Sequence, residues 1–118
     1  MYATGDVVVE GELTPGSGEL PEIPAVGMTL GVPNAFEEVT WLGRGPWETY
    51  WDRKAAAPVG RWSASVTEMF TDYSRPQETG NHTDTRWATL RNASGTGLLV
   101  SGLPLLEFNA LHFTPEEL

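Results

Sequence analysis

Between Asp6 and Leu13 the chain reads DVVVEGEL. Val7, Val9, Gly11 and Leu13 share one face and Val8, Glu10 and Glu12 the other, the two-residue period of a half-buried strand. Thr14 to Pro24 then packs three Pro, two Gly and two Glu into eleven residues, a composition that cannot sustain a ladder and predicts a loop. Further strands are predicted over 25–32 (AVGMTLGV), 37–42 (EEVTWL), 83–90 (TDTRWATL), 97–101 (GLLVS) and 105–111 (LLEFNAL). From Gly43 to Asp72 alternation disappears and aromatic residues crowd in, the signature of a long irregular loop that is either functional or packed by its own side chains. Near the end, Phe113-Thr-Pro-Glu-Glu announces a helix, with Thr114 as N-cap, Pro115 at the first helical position and Glu117 three residues past the cap, but only Leu118 follows. A helix begun and not continued suggests a fragment of a longer polypeptide.

Composition sharpens the class. Thirteen Gly and nine Pro leave little room for a helix of several turns, so the expected fold is an all-β antiparallel sandwich. The 118 residues suffice for a single domain, organised as a first strand (1–13), a loop (14–24) and a main region (25–118). A formal charge of -9 has the wrong sign for a nucleic-acid or membrane-surface binder, and no run is long enough to span a bilayer. The start lacks the basic and apolar segments of a secretory signal, so a cytoplasmic location is expected. Without cysteine there is no disulfide or thiolate chemistry, and two distant histidines predict no metal site. All seven basic residues lie between Arg44 and Arg91 among six acids, while the flanks hold ten acids and no base. Opposite charges confined to one stretch predict paired networks that fix loops.

Candidate chemistry concentrates in two segments. In WLGRGPWETYWDR (41–53), Gly43, Gly45 and Pro46 shape a turn, and Arg44, Glu48, Asp52 and Arg53 supply two charges of each sign. In YSRPQETGNHTDTRW (73–87), Gln77, Glu78, Asn81, Asp84 and Arg86 gather around a Thr79-Gly-Asn turn. One reading is a structural network of Arg44, Glu48, Asp52, Arg53, Glu78, Asp84 and Arg86, with Arg53 and Arg86 each paired to a carboxylate. Another is a carbohydrate surface of Trp47, Glu48, Tyr50, Trp51, Gln77 and Asn81, because sugars present C–H faces to aromatic rings and hydroxyls to polar groups. A glycosidase pair of Glu48 and Asp52 would need carboxyl groups about 5 to 9 Å apart across a cleft, which spacing alone does not supply. His82 could be oriented by Asp84, but no nucleophile accompanies it, so a hydrogen-bonded structural histidine is expected.

These segments also resemble a known family. W-L-G-R-G-P-W-E-T-Y-W-D-R is similar to the W-x-G-x-G-P-x-E-x-Y-x-D-R signature in the C-terminal domain of the large β-galactosidases of glycoside hydrolase family 2, and R-P-Q-E-T-G-N-H-T-D-T-R-W to the P-Q-E-x-G-N-x-T-D-x-R signature that follows it. The similarity runs from about Pro21 to Leu118, in the family's order. It implies part of a galactose-mutarotase-like β-supersandwich within an enzyme that hydrolyses terminal β-D-galactosides. It also implies that the catalytic glutamates, with magnesium and sodium, sit on a barrel that this chain does not match, and that no catalytic residue or cofactor belongs to these residues. The family's C-terminal sugar-pocket tryptophan would fall beyond Leu118. The implied partner is the rest of such a polypeptide, or a separate catalytic subunit if the gene is split; a stand-alone carbohydrate-binding sandwich, with a galactoside as ligand, is the alternative. A partial sandwich leaves open edges and an inner face, with Val39, Trp41, Trp87, Leu98 and Val100 as candidates to line it, so homo-oligomers are expected.

Overall fold

A computed structural model describes residues 2–114 and 117, which divide after Leu30 into two units. The first unit holds one turn, in which Tyr2 N donates to Asp6 O (2.9 Å) and Gly5 N to Tyr2 O (3.0 Å), and no strand. The strands expected over 6–13 and 25–32 are therefore not formed: Val7, Val8 and Val9 are exposed, as are Val26 and Met28. Alternation prepares a face, but a strand also needs a neighbour for its N–H and C=O groups, and these segments have none among the described residues.

The second unit is all-β. Strands β1 (Phe36–Arg44), β2 (Val59–Ser65), β3 (His82–Asn92) and β4 (Gly97–Phe108) form one antiparallel sheet in the order β2-β1-β3-β4, with a 3-10 turn at Thr67–Met69 after β2. Both central strands were legible from alternation; β2 was not, because its VGRWSAS offers small and polar residues around a lone Trp62. The two strands expected at 97–101 and 105–111 are one, β4, which runs on through Pro104. On an edge strand a residue without an N–H costs no ladder bond when it faces outward. The β3–β4 connection is held by Asn92, whose Oδ1 accepts from Ser94 N (3.0 Å), Ser94 Oγ (2.7 Å) and Thr96 N (3.1 Å). At the far end Thr114 N donates to Glu117 Oε2 (2.7 Å), the reach-back half of the expected capping box; Pro115 lies outside the described residues.

Register assigns the two faces. Trp41 lies opposite Trp62 and Ala88, and Val39 opposite Ala64 and Leu90, so these residues share the covered face, closed by Val66, Met69, Phe108 and Ala110. Trp41 is 1% exposed, and its Nε1 donates to Arg44 O (2.9 Å), so the indole is buried with its polar atom satisfied. This corrects the expected open inner face: Val39 and Trp41 are core, Trp87 points to the opposite face, and only Leu98 and Val100, out on the edge strand, remain exposed. The opposite face carries Leu42, Trp87 and Leu99 with Thr40, Thr89 and three arginines around a hollow of about 380 Å³.

Gly43 marks the tightest approach between β1 and β3. A Cβ there would fall 2.5 Å from Thr85 Oγ1 and 2.9 Å from Thr85 Cα, and β3 is irregular on both sides of Thr85, so backbone would have to move. Gly43→Ala should cost about 2 kcal/mol through overpacking. Gly27→Ala, with nothing near its Cβ, should stay within about 0.5 kcal/mol of the parent. Equal melting shifts for the two variants would show that the strands are not in this contact.

Candidate functional site

The two signature segments meet at the end of β1, and each is organised by a carboxylate. At the first knot the bulge in β3 places Asp84 at φ 51°, an uncommon left-handed conformation that Asp tolerates better than most residues. Its side chain accepts from Arg44 Nε at 2.5 Å and from Lys54 Nζ at 3.0 Å. Arg44, and after it Lys54, hold the Asp84 carboxyl below its ordinary value. Arg44 Nη1 also donates to the carbonyls of Lys54 (3.3 Å) and Ala57 (3.0 Å), so one guanidinium ties the 54–57 turn to both central strands. Arg86 reaches the backbone of this knot only, Nη1 donating to Asp84 O at 2.6 Å. Among the described residues Arg86 lacks the carboxylate partner expected for it, and both oxygens of the neighbouring Asp84 are occupied by Arg44 and Lys54.

Glu48 forms the second knot. One oxygen accepts from Arg53 Nη2 (2.6 Å) and from the Tyr73 hydroxyl, and the other from Gly80 N (2.8 Å) and Thr79 Oγ1 (3.3 Å). Beneath it Thr49 and Asn81 exchange bonds, Thr49 N to Asn81 O (2.7 Å) and Asn81 Nδ2 to Thr49 O (2.9 Å), and Asn81 Nδ2 reaches Glu107 Oε2 (3.0 Å). Thr49, Thr79, Thr83 and Thr85 are all buried, with Thr49 and Thr83 hydroxyls 3.0 Å apart. Sequence reading missed Lys54, Tyr73 and these threonines as partners. Thr83 and Thr85 carried the one available signal, alternating on a strand within a polar run.

The candidate carbohydrate residues do not converge on one cleft. Glu48 and Asn81 are spent on the fold, Gln77 borders a separate hollow with Phe70, Tyr73 and Phe113, and Trp47 and Trp51 stand 71% and 78% exposed. Tyr50 lies under the Arg53 guanidinium (5.2 Å) with its hydroxyl buried; burial first, then the charges of Glu48 and Glu78, push its phenol up to about 12. Asp52 and Glu78 are exposed and make no ion pair among the described residues. No three His, Asp or Glu side chains gather to hold a metal among the described residues.

His82 is 2% exposed, its ring centroid 4.3 Å from that of Trp41 and 5.5 Å from that of Phe108. Its Nδ1 lies 3.3 Å from Arg44 O, an acceptor, so Nδ1 carries the proton. The expected orientation by Asp84 is replaced by this carbonyl. Burial lowers the imidazole pKa, keeping the ring neutral.

All of residues 1–118 match a family model described as β-galactosidase small chain. The chain is 49% identical to a β-galactosidase of Priestia megaterium over its whole length, which is 11% of that protein. It is 43% identical to a β-galactosidase of Bifidobacterium adolescentis over 71% of this chain and 8% of that one, and 50% identical to one of Vibrio cholerae over 58% of this chain and 7% of that one. It thus spans about a tenth of the length of these relatives.

The knots rank the arginines. Arg44→Ala strands the Asp84 charge and two carbonyls, at a cost of about 2 to 3 kcal/mol. Arg53→Ala and Arg86→Ala, at solvent-screened positions, should cost about 1 kcal/mol or less. Thermal melting of the three variants decides, and equal shifts would deny Arg44 its central place.

A pH series tests His82. A base whose folded pKa is depressed binds its proton more readily when unfolded, so its contribution is fully present above about pH 6.5, the unfolded value, and is lost as pH falls below it. Melting temperatures of the parent should therefore drop between pH 7.5 and 5 more steeply than those of His82→Gln. Asp84, also depressed, withdraws its stabilisation only below about pH 4. Parallel curves for parent and His82→Gln would mean that the ring is not held neutral.

Proposed function

The chain belongs to the β-galactosidase small-chain family, and from that membership we propose that it is a structural β-segment of the C-terminal domain of an enzyme that hydrolyses terminal β-D-galactosides, itself without catalytic machinery. The observation that carries this reading is the fate of Glu48. It is the best-placed acid of the signature, yet both its oxygens are engaged by Arg53, Tyr73, Gly80 and Thr79, which leaves it no role as nucleophile or proton donor. Catalysis, with its magnesium and sodium, then belongs to another part of the polypeptide or to a separate subunit, and the single sheet is one layer of a supersandwich. A cytoplasmic location suits a cysteine-free chain, which needs no oxidising compartment. Self-association through the edge strand β4 is supported by the exposure of Leu98, Leu99, Val100, Leu103 and Leu105. A second reading, a galactoside-binding surface, has the exposed rings of Trp47 and Trp51 in its favour.

Two assays test the main reading. The chain alone should release no product from aryl β-galactosides; turnover that survives repurification and disappears in Glu48→Gln or Glu78→Gln would overturn it. Substituted for the matching residues of the Priestia megaterium relative, the chain should support galactosidase activity, and a soluble, folded but inactive chimaera would count against it.

A further inference from the structure

The open face of the sheet is built for an occupant. Register sets Leu42 of β1 directly against Trp87 of β3, and Thr89 of β3 against Leu99 of β4, so an apolar floor runs across three strands. Arg61, Arg86 and Arg91 rise around it and with Thr40 and Trp87 line the hollow of about 380 Å³. A sheet face meant for water would alternate toward small polar residues; this one keeps a tryptophan and two leucines. Three of the chain's seven basic residues stand here, in a protein of formal charge -9. Neutralisation from within is slight. Arg91 meets only Glu38, at 3.5 Å and with both side chains exposed, Arg86 meets a backbone carbonyl, and Arg61 has no ion pair among the described residues.

We propose that this arginine-lined face docks an acidic β-layer, with an apolar side chain set over Trp87, contributed by the remainder of a β-galactosidase polypeptide. The inference rests on the functional reading above. Charge complementarity and length select this occupant. The relatives place roughly nine tenths of their length outside the matched region. A second copy of the chain stacked face to face would oppose arginine to arginine across a poorly solvated contact, which charge repulsion disfavours. Arginine suits the role, since its stem can cover the apolar floor while its planar head pairs with carboxylates in two-point bonds.

Arginine-selective labelling with phenylglyoxal, read by mass spectrometry, tests the proposal on the 118-residue chain and on the Priestia megaterium chimaera. Arg61, Arg86 and Arg91 should label about tenfold more slowly in the chimaera than in the chain alone, as desolvated ion pairs would. The variant Arg61→Glu should shorten the thermal inactivation half-life of the chimaera about threefold or more while shifting the melting of the isolated chain by no more than about 2 °C. An active chimaera whose arginines label as freely as in the chain alone overturns the docking and leaves the functional reading standing. Protected arginines in an inactive chimaera support the docking and count against the functional reading. Charge reversal without effect on the chimaera overturns the acidic occupant, and a chimaera that does not fold overturns both.

Discussion

Arg44 joins the core of this protein to its loops. Its carbonyl receives Trp41 Nε1 at 2.9 Å and His82 Nδ1 at 3.3 Å, so the two largest buried rings are oriented by one backbone oxygen. Its guanidinium, on the other side, fixes Asp84 in the bulge of β3 and the carbonyls of Lys54 and Ala57. The core cannot settle without placing this residue, and the loop cannot settle without using it. That shared dependence explains how an irregular stretch rich in Gly and Pro is tied to the strands that flank it.

The Glu48 knot extends the same logic outward. Arg53, Tyr73 and the adjacent Thr79 and Gly80 come from three separate stretches of loop, and a single carboxylate accepts from each of them. Side chains that on composition could have formed a sugar site or an acid pair are thus consumed in holding loops, which is what an architectural segment requires. A signature of Trp, Arg and carboxylates is chemically ambiguous until its partners are known, because the donors that bind a hydroxyl group bind a carboxylate equally well.

What the sequence made legible follows from which forces act locally. Alternation identified β1 and β3 because both bury one face against the core, and it failed for 6–13 and 25–32 because period-2 patterning says nothing about a partner. β2 escaped notice because a strand carried by Trp62 and Ala64 has too few apolar positions to show a period, and β4 was split because Gly102 and Pro104 read as a turn although an edge strand accommodates both. In the site, the charge-network residues Arg44, Glu48, Arg53 and Asp84 carried the right chemistry, but their pairing did not follow from spacing. Arg44 meets Asp84 from forty residues away, and Lys54 and Tyr73 enter only through the fold.

The balance of buried groups explains why such a unit calls for a neighbour. Among the described residues the buried apolar set is Val39, Trp41, Ala57, Val66, Met69 and Ala88, which includes two alanines, while Thr40, Thr49, Thr79, Asn81, His82, Thr83 and Thr85 are buried and polar. Satisfied polar groups specify geometry but each adds only about 1 kcal/mol net, whereas burying a large apolar side chain yields about 2 to 3 kcal/mol. A core this small makes the sheet well defined in shape before it makes it strongly stable, and roughly 5 kcal/mol or more is the usual margin of an independent domain. Apolar area that the unit does not bury for itself stands on β4 and over the Leu42–Trp87 floor. Covering either would add the hydrophobic term that the interior lacks, at the two places where the backbone edge or the arginines already define what can be received.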